Sequence, residues 1–478
     1  MRRGSLIAPL LIILVGTLLL VKNVRPDLPL FETMVAYWPF LLIGWGFLRL
    51  LEITWAWVRG KAFPMPGVSG GEWALIIVLT LVGSSIWGVQ HIVHAPWNWS
   101  RGVNIDGWQI LGNPFDYPLA DRTAKAGLTP HVIIDNPRGM VRVSGSNEET
   151  VKITGRKSVR ALDKDDADKA ANLTPLDVLT EGSTVTIRGN QDRAADRYVA
   201  IDLEIQVPRG ASLDCRGRSG DWDLSDIGGA IDVSSDRASV RVQNVNSTVR
   251  VNTRRSDLVR IIDAKSDVEV KGAGRDIELE NIEGQVLING SFSGETSMRK
   301  LAKTVRFESS VTNFHLEKVL GELHITLGNI TGDNLVGPLM LDNKRAKDVR
   351  LTDVSNSIEI SLDRGDIQLR QSKLPLAKTT LTTHGGDIEI ALPAAAQFTL
   401  HASTERGNLS NEFSDKLKEE EQDHGGRITG VIGTGPDLKL STNRGALTVR
   451  KILAGEVESL TPDAGKAPKA PPSRAENQ

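Results

Sequence analysis

An apolar–polar–apolar triplet returns every nine or ten residues through much of the chain, and this beat limits the available folds more than any other feature. It reads IDV at 231, VRV at 240 and 249, VEV at 268, IEL at 277 and VLI at 286. It continues as VRF at 305, FHL at 314, LHI at 323, LML at 339, IEI at 358 and IQL at 367. The outer residues are apolar and the middle one is usually charged or polar, which is strand alternation with one face buried. A strand of three or four residues cannot bury its own two apolar side chains. Stacking solves the problem: two strands and two turns make a flattened coil of about 18–19 residues, and coils pairing in parallel build a continuous narrow core. The predicted fold class is N-terminal membrane α-helices followed by an all-β parallel β-solenoid with two short strands per coil. An antiparallel sandwich would need hairpin turns and longer, unequal strands.

The turns fall into two alternating classes. One reads SDIGGA at 225, QNVNST at 243, IDAKSD at 262, ENIEGQ at 280, EKVLGE at 317 and TDVSNS at 352. Its third residue is aliphatic (Ile227, Val245, Ala264, Ile282, Val319, Val354), which predicts a side chain tucked into the end of the core. The other class reads SSDRAS, NTRRSD, KGAGRD, DNKRAK, SLDRGD and TTHGGD. It has no fixed apolar residue, is rich in Gly, Asp and Arg, and is predicted to face solvent. Sharp bends between strands account for the abundance of Gly, Asn, Asp and Ser.

The front of the chain has a different chemistry: nine of the ten tryptophans lie before residue 109. Residues 4–21, 33–51 and 73–90 are apolar runs, each long enough to cross a hydrocarbon core of ~30 Å at ~1.5 Å per residue. Three transmembrane helices are therefore predicted, with tryptophans crowding their ends as headgroup-level rings do. LLLVKNV offers no small-residue cleavage site, so the first run reads as a retained helix. Arg2, Arg3, Arg59 and Lys61 outweigh Lys22, Arg25 and Arg101 on the opposite side. That bias places the N-terminus in the cytoplasm and everything after about residue 91 outside it. Residues 91–130 read as a juxtamembrane connector, with Trp97, Trp99 and Trp108 resting on the bilayer. The solenoid is expected over 131–455, with polar inserts near 158–182 and 414–430; KEEEQDHGG in the second reads as a solvated loop. LKLSTNRGALTVRK at 438–451 offers two strands to close the far end, and the Pro/Ala-rich 456–478 reads as a disordered tail.

Two resemblances add to this reading. RRGSLIAPLLIILVGTLLLVKNV followed by YWPFLLIGWGFLRLLE, over residues 2–52, is similar to the LiaI/LiaF-like transmembrane region of bacterial envelope proteins. It implies a bacterial plasma membrane and envelope-stress signalling. Residues 131–413 resemble the bacterial putative-adhesin family of β-strand repeats. The residues that carry this are DNPRGMVRVSGSNEETVKITGRK at 135–157, VPRGASL at 207–213, and GDWDL, GDIQL and GDIEI at 220, 365 and 386. That family carries no accepted catalytic motif, so no residue role transfers.

Lys+Arg 57 against Asp+Glu 59 gives a net charge of -2, which leaves no global field for nucleic acid. Arg364-Gly365-Asp366 spells RGD, yet it occupies the same repeat turn as Gly220-Asp221 and Gly386-Asp387. His91 and His94 have HxxH spacing without a carboxylate or Cys at ligand spacing, and read as interfacial histidines. HGGDIEI at 384–390 lacks the recurring nonapeptide that calcium coils need. Cys215 is the one cysteine, so no intramolecular disulfide forms, and its apolar neighbours suggest a buried inert thiol. GxSxG, P-loop, HExxH and CxxC motifs are absent. The coils of 225–370 are too short and even to raise the groove-forming loops that β-helical polysaccharide-cleaving enzymes use. No catalytic, cofactor or metal residue is therefore expected.

These features point to a membrane-anchored, non-enzymatic β-solenoid of the bacterial envelope, acting as an adhesin-like binding or structural surface. Its partners would be the bilayer and an envelope glycan or protein. The candidate binding face is the solvent-facing turn class: Arg254, Arg255, Lys271, Arg275, Lys344 and Arg345. The alternative is a membrane regulator of envelope-stress signalling, with Gly44, Gly46, Ser84 and Ser85 at helix interfaces.

Overall fold

Val249 pairs with Val268, Val268 with Val286 and Val286 with Val305, each pair parallel and 18 or 19 residues apart. The repeat seen in the sequence is thus a physical register. The computed structural model describes residues 104–105, 108–109 and 113–452, except 195–196 and 414. The chain divides into two compact units, Met1–Leu111 and Gly112–Gln478. In the first unit, the described residues form an antiparallel pair, Asn104–Ile105 with Trp108–Gln109. The three expected transmembrane spans, His91, His94 and the tail from 456 lie outside the described residues. Among those that are described, no helix is long and apolar enough to cross a membrane.

The second unit is nearly all-β, with one α-helix among its described residues. Its strands make two facing layers joined at two corners. One face runs through Ser212–Ser219, Ile231–Arg237 and the first halves of Val249–Ala264 and Val268–Ile282 to Val286–Phe292. The other runs through Trp222–Ile227, Val240–Val245 and the second halves of the same long strands to Thr296–Leu301. Val249, Val251, Val268 and Val270 from the first face, and Val259, Ile261, Ile277 and Leu279 from the second, are at most 2% exposed. Each such side chain contributes ~1.5–3 kcal/mol on full burial, which a lone three-residue strand could not obtain.

The aliphatic corner forms as expected, since Ile227, Val245, Ala264, Ile282, Val319 and Val354 are all buried. The residue before each of the first four is left-handed: Asp226 (φ 61), Asn244 (55), Asp263 (56) and Asn281 (54). Asx residues tolerate this conformation. The extra residue shifts the alternation by one, so that Ile227 turns inward three positions after Leu224. Stacked Asx side chains then bond along the rod, Asn244 Nδ2 to Asp226 Oδ1 and Asn281 Nδ2 to Asp263 Oδ1, each at 2.6 Å.

The opposite corner is less open than expected. It presents charged residues outward, but Ser235, Thr253, Asn343, Thr383, Thr404 and Thr442 are buried beneath it. Thr442 Oγ1 donates to the Gly386 carbonyl at 2.9 Å and Thr404 Oγ1 to that of Gly445 at 2.9 Å. Successive crossings here touch backbone to backbone. Gly365 has φ 125, and a Cβ on it would lie 1.8 Å from the Lys347 carbonyl oxygen.

One coil departs from the parallel scheme. Val305–Glu308 turns back through 309–311 into Thr312–Leu316, and the two strands pair antiparallel. Lys318–Ile325 then runs reversed between Thr296–Leu301 and Asn329–Val336, antiparallel to both. Leu339–Ala346 lies antiparallel to Thr312–Leu316, after which parallel pairing resumes with Asp348–Ser355 and Ile358–Arg364. Side-chain hydroxyls close the hairpins: Ser309 Oγ accepts from Thr312 N at 2.9 Å, and Thr326 Oγ1 from Asn329 N at 3.0 Å. Both tips sit at the polar corner, where Val311 and Gly328 carbonyls accept from the Lys344 and Asp348 amides. The fold is therefore a parallel stack interrupted by one reversed coil.

Both ends are covered. At the near end, Asn113–Pro118 and Arg122–Lys125, within the expected connector, pair with one edge of Thr150–Ala161. The expected 158–182 insert contains the helix Lys164–Leu173, and the strand Asp177–Glu181 lies within the same span. Asp163 caps the helix by accepting from Asp166 N at 2.8 Å, and Ala167 and Ala170 are buried. Lys157, whose pKa burial lowers, donates to the Ala171 carbonyl at 2.7 Å and to that of Thr174, closing the helix C-terminus.

At the far end the C-terminal strands do not form the cap. Asp437–Arg444 is intercalated between Thr379–Thr383 and Phe398–Arg406, and Leu447–Ile452 between Ile388–Pro393 and Leu409–Asn411. The covering element is the 414–430 region: the hairpin Lys418–Gln422 with Gly425–Ile432 pairs along Phe398–Arg406. Phe413 packs edge-on against Phe398, with ring centroids 5.4 Å apart. The acidic run Glu419–Glu420–Glu421 then occupies the outermost strand, where like charges oppose edge-to-edge recruitment of another chain.

Deleting residues 312–326 removes both reversed strands and joins Val311 to Leu327, restoring a crossing of ordinary length. The variant is expected to fold with one rung fewer on each face, a strand-type circular dichroism spectrum and a single melting transition. Loss of that transition would show the reversed coil to be essential.

Candidate functional site

The polar corner gathers most of the residues singled out in the sequence. Its acidic members are structural. Asp366 Oδ1 accepts the Asp387 amide at 2.8 Å, Asp387 Oδ1 that of Ala446 at 2.6 Å, and Asp221 Oδ1 that of Ser239 at 3.0 Å. Asp276 Oδ1 likewise accepts from Glu295 N at 2.9 Å. The Gly-Asp of each repeat thus supplies a close backbone approach and a carboxylate that caps the next coil. Arg364-Gly365-Asp366 is one such turn, and its carboxylate is already engaged by the neighbouring coil.

The structure places Arg254, Arg255, Lys271 and Arg275 on two adjacent coils, because Asn252 pairs with Lys271 and Ser256 with Gly274. Lys344 and Arg345 stand at the same corner beyond the interruption. The first group is separated from them by the crossing 290–294 and the hairpin tip 309–311. All six are exposed. Arg254 Nε lies 3.5 Å from Asp236, and Lys271 pairs with Glu269. Among the described residues no carboxylate is within ion-pair distance of Arg255, Arg275, Lys344 or Arg345. Exposed pairs of this kind contribute only ~0–1 kcal/mol, so these cations are not explained by stability.

Two residues of this corner carried no signal in the sequence reading. Lys347 is 7% exposed, and burial, then the neighbouring Arg345 charge, lowers its pKa. It stands at the first crossing after the reversed coil, where no preceding crossing blocks a side chain. Phe292, half-buried, lies on the crossing between the two cation groups.

The Cys215 thiol is buried, and its pKa is raised by burial and by the Asp214 and Asp232 charges. An open hollow of about 840 Å³ over the reversed coil is lined by Arg306, Glu308, His315, Met340, Asp342 and Glu359 among others. His324 sits between Glu295 Oε1 at 2.6 Å and Glu322 Oε2 at 3.4 Å on the other face. Among the described residues no three His, Cys, Asp or Glu side chains are placed to hold a metal ion.

The family model Toastrack DUF4097 matches residues 132–450. The chain belongs to this family. No curated protein matches it. Three solved structures are similar in part. A "putative cell adhesion protein" from Clostridium sporogenes has 7% identity, covers 71% of this chain and 100% of its own, and gives a TM-score of 0.17. A "putative lipid binding protein" from Parabacteroides distasonis has 10% identity, covers 72% and 98%, and gives 0.22. A "putative adhesin" from Parabacteroides merdae has 7% identity, covers 57% and 95%, and gives 0.20. The toastrack match begins one residue after the adhesin-like region marked in the sequence.

Asp366→Ala removes a carboxylate that caps the next coil and is expected to cost about 1–3 kcal/mol in denaturant unfolding. Arg364→Ala should change stability by under about 0.5 kcal/mol, as an exposed substitution does. Equal effects would remove the structural reading of the RGD turn.

Proposed function

We propose that this toastrack protein is a membrane-anchored, non-enzymatic binding surface of the bacterial envelope, a β-solenoid held by N-terminal helices on the outer side of the plasma membrane. The carrying observation is the difference between the two corners. One is sealed by aliphatic side chains and Asx ladders. The other is a backbone-rigid ridge whose exposed positions vary from coil to coil and include four cations with no carboxylate within ion-pair distance among the described residues. A rigid ladder fixes where those charges stand, which lowers the ordering cost of recognition. The serine–histidine pair Ser212 Oγ and His131 Nδ1, 3.0 Å apart, is exposed, whereas acyl or glycosyl transfer uses a nucleophile–base constellation set in a cleft.

Reversing the charge of all six (R254E, R255E, K271E, R275E, K344E, R345E) is the direct test. The wild-type protein is expected to co-sediment with isolated bacterial envelopes and the variant to lose that association while keeping its melting temperature. Undiminished recovery of a folded variant would exclude this corner as the binding face.

A further inference from the structure

Phe292 is an aromatic ring on a ridge rich in Gly, Ser, Asn, Asp, Arg and Lys. Phe292 is half-buried and packs against the core, and the part of its ring that reaches solvent lies between the small residues of Gly290-Ser291-Phe292-Ser293-Gly294. Phe292 pairs in register with Gly274. A Cβ at Gly274 would lie 3.4 Å from the ring and 2.8 Å from the Ser256 carbonyl. The ring therefore rests on a glycine floor, held by the Ser293 amide donating to the Gly274 carbonyl at 3.0 Å. Arg255 and Arg275 stand on the preceding coils. On the other side, beyond the hairpin tip, stand Lys344 and Arg345, the former bonded through its amide to the Val311 carbonyl at 2.9 Å.

The carboxylates of this stretch are mostly engaged. Asp236 faces Arg254, Asp276 accepts a backbone amide and Glu308 accepts from Asn289 Nδ2 at 3.4 Å; Asp257 and Asp342 are further exposed acids. Asn252, Asn289, Ser291 and Ser293 add neutral donors and acceptors between the cations.

We propose that this corner binds an acidic polysaccharide, with Phe292 as the platform for one sugar ring and Arg255, Arg275, Lys344 and Arg345 reading its carboxylates. This rests on the binding-surface reading above. A phenyl face suits the C–H face of a pyranose, and guanidinium forks suit carboxylates. The surface repeats at ~4.8 Å per coil, so a repeating polymer engages several positions at once and weak contacts combine. A nucleic acid would need a net basic surface, and the chain carries -2. A protein partner would need a desolvated apolar centre larger than one ring.

The test uses full-length protein in detergent micelles and three probes: polygalacturonate, neutral dextran and single-stranded DNA. Polygalacturonate is expected to bind in a salt-sensitive manner and dextran to fail. Phe292→Leu keeps an apolar side chain over Gly274 and removes the aromatic face; it should weaken polygalacturonate binding roughly three- to tenfold in a protein that still melts in one cooperative transition. The quadruple variant R255E, R275E, K344E, R345E should abolish it. Absence of polygalacturonate binding, or binding unaffected by both variants, overturns the proposal. Equal or tighter binding of single-stranded DNA overturns the glycan class. If the quadruple variant loses isolated envelopes while the wild-type protein ignores polygalacturonate, the binding-surface reading stands and this inference falls.

Discussion

The backbone ladder between equivalent residues of successive coils is the interaction on which the rest of this molecule depends. Each three- to four-residue strand contributes two inward side chains, too few to exclude water without a neighbour above and below. Register supplies the neighbours: Val251 on Val270 on Ile288 along one face, Ile261 on Leu279 on Met298 along the other. Because the ladder fixes this vertical alignment, side chains of one kind stack into rows. The Asx row bonds to itself at the aliphatic corner, the Asp row accepts amides at the polar corner, and the Thr row donates to carbonyls beneath it. Glycine recurs where crossings touch backbone to backbone, which is a steric requirement of the stack.

The reversed coil tests how strongly the ladder is needed. Where the chain doubles back, parallel pairing gives way to antiparallel pairing, yet every strand still has a partner on each side. Phe307 pairs with Phe314 and both remain buried, at 5% and 3% exposure. The core therefore runs through the interruption. What is lost is the backbone crossing at one corner over two strands of each face. That loss explains why Lys347 can carry a side chain where later crossings have Gly365 and Gly386.

The strands and their inward residues were legible because alternation has period two and the chain repeats it with little change. The same property hid the reversal. FHL at 314 and LHI at 323 keep the beat, and an apolar–polar–apolar triplet reads the same in either direction. Ser309 and Thr326, which close the two hairpins, were the available signal, since hydroxyl-initiated turns suit such reversals. The intercalated C-terminal coil was not legible either, because the alternating segments Thr379–Leu381, Phe398–Leu400 and Leu438–Leu440 are equally good neighbours for one another. At the candidate site, the exposed cations followed from the turn classes. Phe292 did not, because a single aromatic in a Gly/Ser turn breaks no pattern.

A stack of this kind serves recognition by holding outward residues at fixed steps, and its covered ends keep the rod from extending into other chains. The step itself is the central claim. Spin labels at Asp232 and Glu359 lie seven register steps apart, through Arg250, Glu269, Leu287, Arg306, His315 and Met340. Pulsed electron resonance on that pair should give one narrow distance near ~34 Å, shortening by ~4.8 Å each time the second label moves back one strand. A broad distribution, or distances that do not shorten in equal steps, would contradict the stacked register.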